Sequence, residues 1–276
     1  MQPEQKFESG TSAEAFDHIG ARYDVEFTNT ELSLWFRRRV WERLAVLYKP
    51  GDYVIELGCG TGEDAIWLAK RGIHVLASDG SEAMIAETRR KAQAEGVGAL
   101  VETQLLDFND AANWNLPEQI FDGAYSNYGP LNCIDDWHAI GAQLSRVIRP
   151  SGKIGLGVMG PWCPWEVLWH GIHLDYRNAT RRFRPSTVAH LDGKYFNVYY
   201  PTPERLQRDF GQGFRRSLLW GLGVFLPPSD LYKAVGRRQW LARPLLTLER
   251  LTAPHWPFNY LGDHYWLELE RTSDNP

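Results

Sequence analysis

The feature that most constrains this chain is the run Tyr53-Val54-Ile55-Glu56-Leu57, followed directly by Gly58-Cys59-Gly60-Thr61-Gly62. The first five residues read as a buried strand. Residues 63–71, with apolar Ala65, Ile66, Leu68 and Ala69 and with Gly72 as the stop, read as a helix. A strand, a glycine turn and a helix in that order suit a small-molecule site. Glycine lets the backbone bend sharply and brings its N–H groups close to a ligand. An ordinary glycine-rich connection is the bland alternative. A dinucleotide site is a second one, but its fingerprint needs glycines at the first, third and sixth positions. Here they stand at 58, 60 and 62, and position 63 is glutamate.

The units on either side repeat the pattern. Residues 74–78, 100–106, 121–126 and 153–159 read as further strands, with helices at 81–95 and 135–148. Ser81 is placed to cap its helix, and Glu82 suits the positive end of that helix dipole. Strand–helix units with short connections imply an α/β fold, a parallel sheet with helices on both faces. Residues 30–47 form an amphipathic helix that would pack on this core. The stretch 161–200 is different: Pro161, Pro164, Pro185 and Pro201 interrupt or bound it, and it is dense in Trp, Tyr and His. It reads as an insertion, with strands at 215–224 and 264–269 following it. The expected organisation is a helical cap segment (1–50), a ligand-binding core (51–160), and lid insertions with final strands completing the same sheet (161–276).

Charge and cysteine usage narrow the function. The net charge of -4 argues against nucleic acid as the main partner. The charge is uneven, because residues 1–160 hold 15 Lys/Arg against 23 Asp/Glu while residues 161–276 hold 15 against 11. Cys59, Cys133 and Cys163 form no CxxC pair and suggest neither a disulfide framework nor a zinc site. With no apolar leader in the first ten residues and no long apolar run, a cytoplasmic location without a membrane span is the expectation.

Two acids extend the site. Asp79 ends the second strand, where it can accept hydrogen bonds from both ribose hydroxyls of an adenosine; helix capping before Gly80-Ser81 is its other reading. Asp107-Phe108 follows the third strand and suits an adenine amino group with a flanking apolar contact, although an acid there also serves as a plain turn residue.

Taken together, Val54–Gly62, Ser78-Asp79-Gly80-Ser81-Glu82-Ala83-Met84, Leu106-Asp107-Phe108, Phe121–Asn127 and Pro150-Ser151-Gly152-Lys153 resemble the class I S-adenosylmethionine-dependent methyltransferases. The resemblance is to the branch of ubiquinone/menaquinone-type and natural-product enzymes. Phe16-Asp17 and Tyr23-Asp24 look like that family's opening segment. The resemblance covers residues ~15–160 in order. It implies a Rossmann-like, seven-stranded, mostly parallel sheet with the last strand antiparallel, S-adenosylmethionine as cofactor, and no metal. It also implies cofactor contacts at Tyr23, Glu56, Gly58, Cys59, Gly60, Asp79, Gly80, Met84, Asp107, Phe108 and Ser126. Glu56 stands where many relatives carry aspartate.

Ligands of open α/β sheets bind beyond the carboxyl ends of the strands. The 161–200 insertion, residues 225–263 and the N-terminal helix should therefore converge as a lid over a small-molecule substrate. Asn127 and Tyr128 would lie beside the methyl group. Trp162, Trp165, Trp169, Tyr195 and Tyr199 are substrate-binding candidates, with packing of the lid itself as the alternative. Tyr128, His138, His173 and His264 are candidate bases, His170 a further one, and none stands out. That favours nitrogen as acceptor, since a neutral amine attacks unaided. Arg177, Arg181, Arg182 and Arg184 offer either a phosphate or lipid-headgroup site or a solvated face.

Overall fold

A computed structural model describes residues 10–19, 31–226 and 239–272. Its strands are β1 (Tyr53–Leu57), β2 (His74–Asp79), β3 (Val101–Leu105), β4 (Phe121–Ser126), β5 (Ile148–Met159), β6 (Thr187–Leu191), β7 (Lys194–Val198), β8 (Phe214–Leu222) and β9 (His264–Arg271). Seven of them form one sheet in the order β3-β2-β1-β4-β5-β9-β8, and β6 pairs with β7 apart from it. β9 runs antiparallel to both neighbours, and the pairs from β3 to β5 are parallel. The expected Rossmann-like sheet is therefore present, with its last strand reversed.

Both faces of the sheet are buried, which explains why β1 reads as a continuous apolar run rather than an alternating one. Successive side chains point to opposite faces. Ile55, Leu57, Leu267 and Leu269 enter one core with Trp137, Leu144 and Leu206. Val54, Tyr125 and Trp266 enter the other with Val40 and Leu44. The first core is covered by α5 (Trp137–Val147) and by a short helix, Pro203–Phe210. The second is covered by α2 (Glu31–Leu47) and α3 (Glu63–Ala69). Tyr48, just past α2, donates to the carbonyls of Ala124 (2.6 Å) and Lys153 (3.1 Å). Arg43 binds the Glu268 carboxylate through Nε at 2.7 Å and Nη2 at 2.9 Å, so α2 is riveted to the sheet at two levels.

Helix α4 (Glu82–Ala94) begins as expected: the Ser81 hydroxyl accepts from the Met84 N–H at 3.2 Å. Helix α1 (Ser12–Ile19) sits against that start, with Asp17 accepting from the Ala83 N–H at 3.1 Å. The β6–β7 hairpin is the main addition to the sequence reading, which made 161–200 an insertion rather than a further βα unit and named no strand in it. Its turn is Asp192-Gly193, with φ of 45° and 84°. A two-residue hairpin turn requires such positive values, and Asp-Gly between alternating residues is its sequence signal. α6 (Pro164–Ile172) and a helical turn at Tyr176–Ala179 precede the hairpin.

Candidate active site

The β1 turn is built from its glycines. Gly58, Gly60 and Gly62 have φ of 78°, 53° and 83°. The N–H groups of Gly58 and Cys59 both donate to the Ser78 carbonyl, at 2.8 and 2.9 Å. A Cβ on Gly58 would lie 2.1 Å from Pro130 Cγ, whereas one on Gly60 would meet no protein atom within 4 Å. The first glycine therefore permits packing and the second keeps space open.

That space belongs to a cavity of ≈ 280 Å³ beyond the carboxyl ends of the parallel strands. Glu56, Gly58, Cys59 and Gly60 line it from the first turn, Asp79, Gly80 and Met84 from the second, and Asp107 and Phe108 from the third. Asn127 and Tyr128, just past β4, line it too. Ser126 does not; it is fully buried behind the turn, donating to the Leu57 carbonyl at 2.8 Å. Tyr23 lies outside the described residues.

Asp79 accepts from the Gly60 N–H at 2.9 Å through Oδ2 and from the Ser81 N–H at 3.0 Å through Oδ1. A carboxylate has about four acceptor sites, so each oxygen keeps capacity for one more donor. Burial pushes its pKa up to about 6, despite those backbone donors. Asp107 accepts from the Asn109 N–H at 2.9 Å, so it caps its turn while facing the cavity.

Two side chains on the cavity wall, a carboxyl and a guanidinium, each have a polar atom without a partner: Glu56 Oε2 and Arg37 Nε. Burial, and then the nearby Asp64 carboxylate, raise the Glu56 pKa well above the usual range. Burial opposes the Arg37 charge, but Asp64 and Tyr128 outweigh it and hold the guanidinium protonated. Arg37 donates to Asp64 at 2.6 Å and lies 4.6 Å from the centre of the Tyr128 ring. Asp64 also accepts from Trp41 Nε1 at 2.7 Å and from Asn127 Nδ2 at 2.9 Å. One buried carboxylate thus orients Arg37 and Asn127 together. S-adenosylmethionine fits these residues. Its ammonium, carboxylate, ribose hydroxyls and adenine call for acidic, basic and apolar side chains of the kinds that line this cavity.

The other end of the cavity is apolar. Phe16 of α1, Cys133 and Ile134 past β4, Met159 at the end of β5, and Phe196 and Val198 of β7 line it. Sequence reasoning singled out none of these as site residues, nor Arg37 and Asp64. The Asp192-Gly193 signal would have exposed the hairpin, and its alternation would have exposed Phe196 and Val198. That alternation also corrects two expectations. Tyr195 and Tyr199 occupy the odd positions, and neither lines the cavity. Their rings pack on His190 at 4.5 Å and Trp137 at 6.2 Å.

Trp162, Trp165 and Trp169 are also absent from the walls, because α6 turns Glu166 inward. Trp162 packs on Phe183 and Trp169 on His173. No histidine lines the cavity among the described residues. His138 Nδ1 lies 3.2 Å from the Asp209 carbonyl on the surface, and His173 is exposed. His264 stands opposite Met159 in the β5–β9 register, at the expected edge, but its Nδ1 is 3.1 Å from Asp263 and its ring 6.4 Å from that of Tyr128. Of the candidate bases, Tyr128 alone reaches the cavity, and its hydroxyl donates to the Ser33 carbonyl.

Comparison with known proteins agrees with the fold. A family model described as a methyltransferase domain matches residues 54–152. A 2-phytyl-1,4-naphtoquinone methyltransferase of Synechococcus elongatus is 32% identical over 168 residues, 58% of this chain and 69% of that protein. A demethylmenaquinone methyltransferase of Mycobacterium marinum is 32% identical over 145 residues, 51% of this chain and 56% of that protein. Among solved structures, geranyl diphosphate C-methyltransferase from Streptomyces coelicolor A3(2), in complex with Mg2+, geranyl diphosphate and S-adenosyl-L-homocysteine, superposes with a TM-score of 0.57. That match is 12% identical, covers 96% of this chain and 89% of the other, and carries the fold alone.

Proposed function

The chain belongs to the class I S-adenosylmethionine-dependent methyltransferases, and from that premise we propose that it methylates a small, largely apolar acceptor that brings its own nucleophile. The observation that carries this reading is the composition of the far end of the cavity: Phe16, Ile134, Met159, Phe196 and Val198, with no histidine on any described wall. Cys133 is there as well, but burial pushes its thiol up to about 12, so it is no base at neutral pH.

When bound, S-adenosylmethionine supplies an electrophilic methyl group on a sulfonium, which a nucleophile displaces in line to leave S-adenosylhomocysteine. The protein's part is to bind, orient and exclude water. Gly60 leaves room for the cofactor, Asp79 receives its ribose, and Glu56 with Arg37 holds its amino-acid end. Asn127, fixed by Asp64, and Tyr128 line the cavity and would lie beside the methyl group of the bound cofactor. The α1–hairpin layer covers the acceptor, with Phe16 and Phe196 rings 6.2 Å apart.

A cavity without a histidine base favours a neutral amine. The relatives, named for naphthoquinone and menaquinone substrates, favour a quinone-type ring instead. The test is turnover with labelled methyl donor on an aromatic amine and on a reduced naphthoquinone lacking the methyl group, followed by mass spectrometry. Methylated amine supports nitrogen, methylated ring supports the quinone reading, and transfer only to hydrophilic acceptors defeats both.

A further inference from the structure

The helix α6 is turned inside out. Its buried side chain is Glu166, held by Arg181 Nη2 at 3.0 Å and Arg182 Nε at 2.9 Å. Its apolar side chains face outward, with Leu168 57% and Ile172 68% exposed and Val167 and Trp169 beside them. The apolar surface continues through Leu174, which is 72% exposed, and through Tyr176 and Phe183. Single exposed apolar residues are ordinary, but so many within one short segment mark an interaction site. The segment also begins and ends at the cavity, because Met159 before it and Ala189 after it both line the wall.

Charge indicates what covers this face. Of the four arginines between 177 and 184, the structure uses two internally. Arg181 and Arg182 bind Glu166, and Arg182 also binds Asp263. Arg177 and Arg184 are exposed and have no carboxylate partner among the described residues. Arg184 instead donates to the Arg177 backbone carbonyl at 3.3 Å. Exposed aliphatic tips, aromatics and guanidiniums without carboxylate partners, all within residues 162–184, match a headgroup layer. There, phosphates pair with arginine while the tips enter the acyl boundary.

We infer that the α6 face, residues 162–184, docks the enzyme on an anionic lipid bilayer. The association is peripheral: no helix among the described residues is long and apolar enough to cross a membrane. It does not depend on the identity of the acceptor.

The test is co-sedimentation of the full chain with phosphatidylcholine vesicles, with and without phosphatidylglycerol, at low and high salt. Binding to the anionic vesicles, weakened by salt, is the expected result. R177A/R184A should lower the partition by about thirtyfold, and L168S/I172S should lower it at least as far. Cofactor affinity by calorimetry should stay unchanged in both variants, which shows that they are folded. If L168S/I172S fails to fold, the arginine pair decides alone. Absence of vesicle binding by the parent protein, or equal binding by R177A/R184A, overturns the inference. So does a parent dimer that L168S/I172S converts to monomer without any vesicle binding, which would give the face to a second copy of the chain.

Discussion

Arg182 grips Asp263 twice, through the backbone carbonyl at 2.8 Å and the carboxylate at 2.5 Å. The same guanidinium reaches Glu166 and, at 3.2 Å, the Gly160 carbonyl. It therefore ties the end of β5 and the helix α6 that follows it to the start of β9, about a hundred residues further along the chain. Burial opposes ionisation of Asp263, yet Arg182 and His264 hold its pKa well below the usual range. Cys163, Glu166 and Asp263 offer ligand atoms within 4.8 Å of one another, but the positive charge there is already supplied by Arg182.

Removing that charge should be costly. R182A leaves Asp263 without its guanidinium and Glu166 with Arg181 alone, and is expected to lower stability by about 3–5 kcal/mol, read by urea unfolding. R182K should recover little, because an ammonium cannot reproduce the forked contacts. Near-normal stability of R182A would mean that the clamp contributes nothing.

The two glycines of the β1 turn should separate folding from binding. G58A drives a Cβ into Pro130 and should lower Tm sharply. G60A carries only the cost of a side chain at φ 53°, about 1–2 kcal/mol, but places its methyl in the cavity. G60A is therefore expected to stay folded and lose S-adenosylhomocysteine binding by calorimetry. Intact binding in G60A would place the cofactor elsewhere.

Asp79 should bind the ribose in its ionised form. D79A removes two charge-assisted hydrogen bonds, each worth about 1.5–3 kcal/mol, and should weaken cofactor affinity at least about a hundredfold. An affinity within a few-fold of the parent would take Asp79 out of the ribose role.

The pH dependence follows from the same residue. Its pKa of about 6 in the free protein lies above the ordinary value of 3.8. The folded state thus holds that proton more tightly than the unfolded chain, and this contribution to stability is full below 3.8 and lost as pH rises through 6. The ionised form binds ribose, so cofactor affinity should run the other way, falling about tenfold per unit below pH 6. Calorimetry between pH 4.5 and 7.5 checks this, with D79N as the flat control.

Filling the apolar end should separate the acceptor from the cofactor. A189F adds a ring at a cavity wall on the hairpin. Cofactor affinity should be preserved and turnover lost. Weakened cofactor binding with normal turnover would reverse the assignment of the two ends.

The core of the site was legible because its signals are local. A glycine turn needs particular residues at particular positions, and helix caps and buried parallel strands leave contiguous patterns. Strand β1 and the Ser81 cap are read correctly for that reason. The hairpin was legible in principle from Asp192-Gly193, but proline and aromatic density obscured it. Trp162, Trp165 and Trp169 misled because aromatic content does not say which side of a helix faces inward. In α6 the buried position is Glu166, a choice made by Arg181 and Arg182 from later in the chain.

Sequence alone determined the family, the strands of the core and the glycine turn, since the signals of each are local. Tertiary structure alone decided that Asp64 would orient Arg37 and Asn127, and that α1 and the hairpin would wall the apolar end of the cavity. It also decided that two of the four clustered arginines would be consumed as a clamp. The reason is that burial and charge pairing depend on partners tens to hundreds of residues away, which no local pattern encodes.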